Sequence, residues 1–72
     1  MDVTEWHRVA RSRWHCIVGR DELAAGSNNF DTAYAVAQSL SLVRKCALHL
    51  IDTEHPNSYM RFHNGREIEN LL

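Results

Sequence analysis

The sequence predicts an α+β fold in which one helix packs on one face of a mostly antiparallel sheet. A capped amphipathic helix pattern begins at Phe30. Segments in which apolar residues alternate with polar ones precede and follow this helix. An Asn64-Gly65 pair between the last two segments is a typical hairpin turn. The expected element order is β-β-α-β-β, with or without a fifth strand after it.

Length and composition predict a single small domain, residues 1–72. Apolar residues make up 44% and charged residues 24%, which argues against disorder. A formal charge of −1 provides no overall attraction to nucleic acid or to anionic membranes. Small secreted domains usually contain more cysteines than Cys16 and Cys46, so we expect reduced thiols and a cytoplasmic location. No apolar run approaches the ~20 residues that a bilayer requires, and we expect no membrane partner.

The first part of the chain predicts two short strands, residues 5–11 and 13–18, joined tightly near Ser12. Trp, Val, Ile and Cys alternate there with His and Arg, a period close to two. Residues 19–29 are expected to form a loop, because they contain the turn-forming run Gly26-Ser27-Asn28-Asn29.

The helix that follows is the clearest local feature. Asp31 or Thr32 is predicted to cap it by accepting backbone hydrogen bonds, with Phe30 in front of the cap. Helical spacing places one apolar stripe against the sheet: Ala33, Val36, Ala37, Leu40 and Val43 or Arg44. The outer side is then formed by Tyr34, Gln38, Ser41 and Lys45.

The remaining strands are predicted at 46–51, 59–63 and 66–71, with a turn at 54–58. Two hairpin registers are open after His63. A two-residue turn pairs Phe62 with Glu67, whereas a three-residue turn over 63–65 pairs Met60 with Ile68 and Arg61 with Glu67. We favour the three-residue turn, because it pairs an apolar residue with an apolar residue and a positive charge with a negative charge.

Alternation along the strands predicts which side chains face the helix. The apolar set is Trp14, Cys16, Val18, Cys46, Leu48, Leu50, Met60 and Phe62. The other face is then formed by His15, Ile17, His49, Ile51, Tyr59 and Arg61, joined by Trp6, Arg8 and Ala10 or, after a one-residue slip, by His7, Val9 and Arg11. Antiparallel sheets often leave one face to solvent, so a simply solvated face is the alternative to a docking face.

Few residues suggest chemistry. The five histidines are scattered, and Cys46 and His49, although spaced as C-x2-H, would point to opposite faces of a strand. The three glycines are isolated and form no phosphate-binding loop. A domain of this size has little material left to enclose a catalytic pocket. We therefore expect no metal, no cofactor and no enzymatic activity.

The open face combines aromatic, imidazole, guanidinium and branched aliphatic groups, a mixture typical of protein-binding hot spots. The leading hypothesis is a protein-binding module, an accessory protein or inhibitor, that docks onto a larger protein through this face or an edge strand. The expected contact residues are Trp6, Arg8, His15, Ile17, His49, Tyr59 and Arg61. Formation of a homodimer through the same surfaces is a close variant.

Nucleic-acid binding is the alternative. Residues 5–20 contain Arg8, Arg11, Arg13 and Arg20 against a single glutamate, interleaved with two tryptophans. Arginines can hold phosphates while aromatic rings stack on bases. The acidic segment 52–69 and the negative net charge count against this alternative.

Five segments carry a resemblance to a known family: WHRV, WHCIV, FDTAYAVAQSL, ALHLID and GREI. The pattern, over residues 6–68, resembles the DUF2188-type small bacterial domains of unknown function, mainly at Trp14, Phe30, Asp31, Thr32, Ala33 and Ala37. It departs at Val36, where the family tends to have an acidic residue, and in a longer turn at 54–58. The resemblance implies two strands, a helix and a hairpin, and the family offers no activity to transfer to this chain. In size and topology the chain is also similar to some phage-encoded anti-CRISPR inhibitors, which implies a phage-derived inhibitor.

Overall fold

The computed structural model describes residues 2–72. Its elements are α1 (Val3–Ala10), β1 (Trp14–Val18), β2 (Glu22–Ser27), α2 (Phe30–Arg44), β3 (Leu48–Asp52), β4 (Tyr59–His63) and β5 (Arg66–Asn70). The strands form one antiparallel sheet in the order β2-β1-β3-β4-β5. The α+β class, the central helix and the fifth strand are confirmed. The predicted β-β-α-β-β order is only partly right, because a helix precedes β1 and the chain from 22 to 27 is a strand.

Residues 5–11 belong mainly to helix α1 and are not a strand. The Asp2 carboxylate accepts a hydrogen bond from the backbone N–H of Glu5 at 2.7 Å and so caps the helix. Because Val3, Trp6 and Ala10 have helical spacing, one stripe of α1 is apolar. The predicted N-terminal hairpin is therefore wrong, and so are both registers considered for its first strand.

Strand β2 lies where a loop was predicted. Gly19, with φ of 65°, begins the turn that returns the chain, and Ala25 then pairs with Cys16. Alanine and glycine have low strand propensity. Pairing with β1 and the packing of Ala24 and Ala25 against the core account for this strand, so tertiary contacts outweigh local preference.

Helix α2 begins at Phe30, but its cap is Asn29. The Asn29 side chain accepts a hydrogen bond from the backbone N–H of Thr32 at 2.9 Å. The predicted caps Asp31 and Thr32 lie instead in the first turn. The helix ends at Arg44, and the C-cap residue Lys45 has a left-handed φ of 53°.

The buried face of α2 is rotated relative to the predicted stripe. It contains Ala33, Ala37 and Ser41, whereas Val43 is 74% exposed. Ser41 can be buried because its hydroxyl donates to the Gln38 carbonyl and accepts from the Gly65 N–H, both at 2.9 Å. Small side chains on this face let α2 approach the sheet closely.

The core between α2 and the sheet matches the predicted alternation. Its buried members are Cys16, Val18, Ala33, Ala37, Leu48, Leu50, Met60 and Phe62. Trp14 and Cys46 are only partly buried and pack at its border. Strand β3 begins at Leu48 rather than at Cys46.

The β4–β5 hairpin has the two-residue turn Asn64-Gly65, so the favoured three-residue register is wrong. Both turn residues are left-handed, with φ of 52° and 76°, as a type I′ turn requires. Phe62 consequently pairs with Glu67, whose carboxylate accepts a hydrogen bond from the Tyr34 hydroxyl at 3.2 Å. A register shift beyond Phe62 then places Glu69 opposite Arg61.

Candidate docking face

The sheet surface opposite α2, called here the open face, contains two rows of paired residues. His15 pairs with Ile51, which pairs with Tyr59. In the second row, Ile17 pairs with His49, which pairs with Arg61. Directly paired residues point to the same face of a sheet. The six strand residues predicted for this face are therefore brought together, and all six are half-buried.

Helix α1 covers the β2 end of the open face. Gly26 pairs with His15 and so faces the same side. A Cβ atom on Gly26 would collide with the Ser12 hydroxyl and lie 2.9 Å from the Val9 carbonyl oxygen. Val9 is buried but belongs to no part of the core beneath α2. The expectation that this face is bare therefore holds only away from β2.

The uncovered part of the open face is called here the shelf. It is formed by Ile17, His49, Ile51, Tyr59, Arg61 and the β5 residue Glu69. His15 borders it, and its Nε2 atom has neither solvent contact nor a hydrogen-bond partner in the described part of the chain.

Trp6 and Arg8, predicted as strand residues of the docking face, lie instead on α1. Trp6 is 48% exposed, with its ring 5.5 Å from that of His7 in an edge-on arrangement. The Arg8 side chain is 72% exposed and lies 3.8 Å from the Glu5 carboxylate. Both residues therefore belong to the helix beside the shelf and not to the shelf itself.

Glu69 is the member of the shelf that sequence reasoning missed. Its Oε1 lies 3.7 Å from Arg61 Nη1, which is too long for a hydrogen bond. The same oxygen has no solvent contact and no hydrogen-bond partner among residues 2–72. The neighbouring Glu69 carboxylate raises the pKa of Tyr59, whose ring lies 5.9 Å from that of His49. Glu69 lies beside Arg61 only in the observed β4–β5 register, which includes the shift beyond Phe62.

Arg13, a predicted nucleic-acid contact, is occupied by two carboxylates. Its Nε and Nη2 atoms donate to Asp52 at 3.0 and 2.9 Å, and Glu54 lies 2.7 Å away. The hydrogen bond from Arg13 lowers the pKa of Asp52, and the same bond raises the pKa of Arg13. This cluster joins the start of β1 to the end of β3 and leaves Arg13 little charge for a phosphate.

The four arginines of the nucleic-acid hypothesis do not converge. Arg8 and Arg11 lie on α1 and at its C-cap, at one end of β1. Arg20 lies in the turn at the other end, beyond a five-residue strand about 17 Å long. The hairpin on which that hypothesis depends is not formed.

Residues 2–72 contain no pocket and no group of three or more potential metal ligands. Both cysteines are free thiols. Burial raises the pKa of Cys16 to about 11, whereas Cys46 is half-buried. No helix of the described chain is long and apolar enough to span a bilayer.

The edge strands β2 and β5 carry features that resist strand addition. Each contains a register irregularity against its neighbour. Arg66, Glu67 and Glu69 add charges to β5, and the α1 end lies over Gly26 of β2. Bulges, charges and covering elements are the usual means of protecting an edge. The open face is therefore the better candidate for docking than either edge.

Comparison of the chain with protein-family models, curated proteins and solved structures finds no match. The resemblances to DUF2188-type domains and to anti-CRISPR inhibitors stay predictions.

Proposed function

We propose that this protein is a small non-catalytic binding module that docks onto a larger protein through the open face. The observation that supports this most strongly is the composition of the shelf. It places two isoleucines beside Tyr59 and Arg61 on a surface that α1 only partly covers. Tyrosine and arginine around an apolar centre are the residue types that contribute most to protein interfaces.

The mechanism is steric. Apart from Glu69, the shelf side chains stand on the central strands β1, β3 and β4, whose other side is packed against α2, so they are held in place before binding. A preorganised surface loses little conformational entropy on association. Covering part of a partner's surface is sufficient for an accessory protein or an inhibitor. Truncation of a central residue such as Tyr59 is expected to cost ~2 kcal/mol of binding free energy.

The experiment compares two variants with the same chemical change. Ile17→Glu places a carboxylate in the shelf, whereas Val43→Glu places one on the outer side of α2, where Val43 is already 74% exposed. The tagged wild-type protein and the Val43→Glu variant should retain the same protein from an extract of the native cell, and Ile17→Glu should lose it. Equal retention by both variants would contradict docking through this face.

Two controls accompany this comparison. Circular dichroism and urea unfolding show whether Ile17→Glu is folded, and Arg61→Ala provides a milder second change because that side chain is 40% exposed. Salt dependence distinguishes the nucleic-acid hypothesis from protein docking. If the protein binds nucleic acid, the amount of nucleic acid retained should fall steeply between about 50 and 200 mM salt. Loss of such retention in an Arg8→Ala, Arg11→Ala double variant, with Ile17→Glu unaffected, would favour the nucleic-acid hypothesis.

A further inference from the structure

We propose that Asn64 is a site of spontaneous deamidation and that the buried Ser41 hydroxyl protects it in the folded chain. Of the five asparagines in the sequence, only Asn64 is followed by glycine. A glycine has no side chain to shield its backbone nitrogen, and asparagine is among the thermolabile residues of proteins. The site lies in the β4–β5 turn, outside the shelf, and it does not depend on docking.

The reaction joins two neighbouring groups of the turn. The Gly65 backbone nitrogen loses its proton to a base in the solvent and attacks the side-chain carbonyl carbon of Asn64. A C–N bond forms, the side-chain nitrogen leaves as ammonia, and a cyclic succinimide remains. Water then opens the ring at either carbonyl and yields aspartate or isoaspartate. Because Asn64 is exposed, base and water can reach its side chain.

In the folded chain the attacking nitrogen is engaged. The Gly65 N–H donates a hydrogen bond to Ser41 Oγ at 2.9 Å, and the Ser41 hydroxyl donates in turn to the Gln38 carbonyl at 2.9 Å. Ser41 can therefore only accept from Gly65, and a hydroxyl oxygen is too weak a base to remove an amide proton. Since Ser41 is fully buried, a base in the solvent cannot approach the N–H along this direction. The Gly65 nitrogen consequently stays protonated.

The turn is also held in position against α2. The Gln38 side chain donates from Nε2 to the Gly65 carbonyl at 3.0 Å. A Cβ atom on Gly65 would lie 3.4 Å from the Leu42 Cβ, so helix and turn are in close contact. Attack on Asn64 requires the Gly65 nitrogen to swing toward the side chain, which would break its hydrogen bond to Ser41. We therefore expect deamidation only from a state in which the turn has opened locally.

The two products differ in their effect on the hairpin. Aspartate fits the same left-handed position, because Asp-Gly also forms type I′ turns. Isoaspartate inserts an additional methylene into the main chain, which changes the loop that sets the strand register. The pairs Phe62 with Glu67 and Arg61 with Glu69 both depend on this loop. Protection by Ser41 therefore preserves the position of β5.

The experiment measures deamidation of Asn64 in mildly alkaline buffer at physiological temperature. Peptide mapping by mass spectrometry detects replacement of the amide NH2 group by OH. The folded wild-type chain should react at least ~10-fold more slowly than the same chain unfolded in urea. Ser41→Ala should react ~5-fold faster than the folded wild type, because one hydrogen bond that holds the turn is removed. Amide hydrogen exchange followed by NMR should show the same order at Gly65.

Ser12→Ala is the matched control, because it also deletes a buried serine hydroxyl but leaves the turn unchanged. Its rate at Asn64 should equal that of the wild type. If Ser41→Ala does not fold by circular dichroism, Ser41→Cys replaces it; sulfur is a weaker acceptor, so the rate should again rise.

Three results would overturn the proposal. The first is a folded wild-type chain that deamidates at Asn64 as fast as the unfolded chain, a comparison that needs no variant. The second is a folded Ser41 variant that reacts no faster than the wild type. The third is an equal rise in Ser12→Ala, which would mean that the rate follows global unfolding and not the contact between Ser41 and Gly65.

Discussion

Replacing Gly26 with alanine tests where α1 lies, on which the shape of the docking face depends. The added Cβ would collide with the Ser12 hydroxyl and lie 2.9 Å from the Val9 carbonyl and 3.1 Å from the Trp14 carbonyl. Two of these neighbours are backbone atoms that cannot rotate away. Forcing extra volume into a packed site costs ~1–3 kcal/mol.

At a site without such neighbours the same substitution stabilises by about 0.4–1 kcal/mol, because alanine restricts the unfolded chain. We therefore expect Gly26→Ala to destabilise by about 2 kcal/mol. For a domain of this size that lowers Tm by roughly 8–16 °C. Thermal unfolding followed by circular dichroism measures the shift. An unchanged or raised Tm would mean that Ser12 and Val9 do not lie above Gly26.

A double-mutant cycle with Ser12→Ala makes this test specific. The Ser12 hydroxyl donates a hydrogen bond to the Val9 carbonyl at 2.5 Å, so Ser12→Ala alone should cost about 1 kcal/mol. It also removes the atom nearest to the new Cβ. The double variant should consequently be more stable than the sum of the two single changes by at least ~0.5 kcal/mol. Strictly additive effects would contradict the contact.

Three further predictions concern the support of the sheet and helix. Because Arg13 lowers the pKa of Asp52, the ion pair stabilises the fold above the unfolded pKa of ~3.9, and this stabilisation is lost as pH falls through the folded pKa of Asp52. The Tm of Arg13→Gln should therefore fall less steeply with acid than the Tm of the wild type. Because burial raises the pKa of Cys16 to about 11, alkylation followed by mass spectrometry should modify Cys46 well before Cys16 at pH 8, and equal rates would refute this. Asn29→Ala should cost ~1 kcal/mol, measured by urea unfolding, and no change would show that Asn29 is not the cap.

The elements that sequence reasoning predicted correctly have local signals. Phe30 opens a helix whose apolar spacing is clear, and Leu48 and Leu50 alternate with histidine and isoleucine as a half-buried strand should. The same alternation predicted the strand residues of the open face. Their common position is confirmed, whereas their role in binding stays a prediction.

The errors arose where two local signals compete. Residues 5–11 alternate between apolar and polar only in part, whereas Trp6, Val9 and Ala10 have the spacing of one helix face, and a run of seven residues is too short to separate the two patterns. The deciding signal was available: Asp2 followed by Glu5 at the spacing of a helix cap. In the last hairpin, turn chemistry at Asn64-Gly65 outweighed the pairing of apolar side chains.

By itself the sequence determined the α+β class, the central helix and the division of β1, β3 and β4 into a buried and an open side, because each follows from a periodicity within a few residues. Only the tertiary structure decided that residues 22–27 form a strand, that α1 lies over Gly26, and that Glu69 stands beside Arg61. These depend on contacts between segments distant in the chain, whose free energies are larger than the local preferences of alanine, glycine or a short ambiguous run. The docking face is therefore composed of locally predictable strands whose boundary is set by long-range packing.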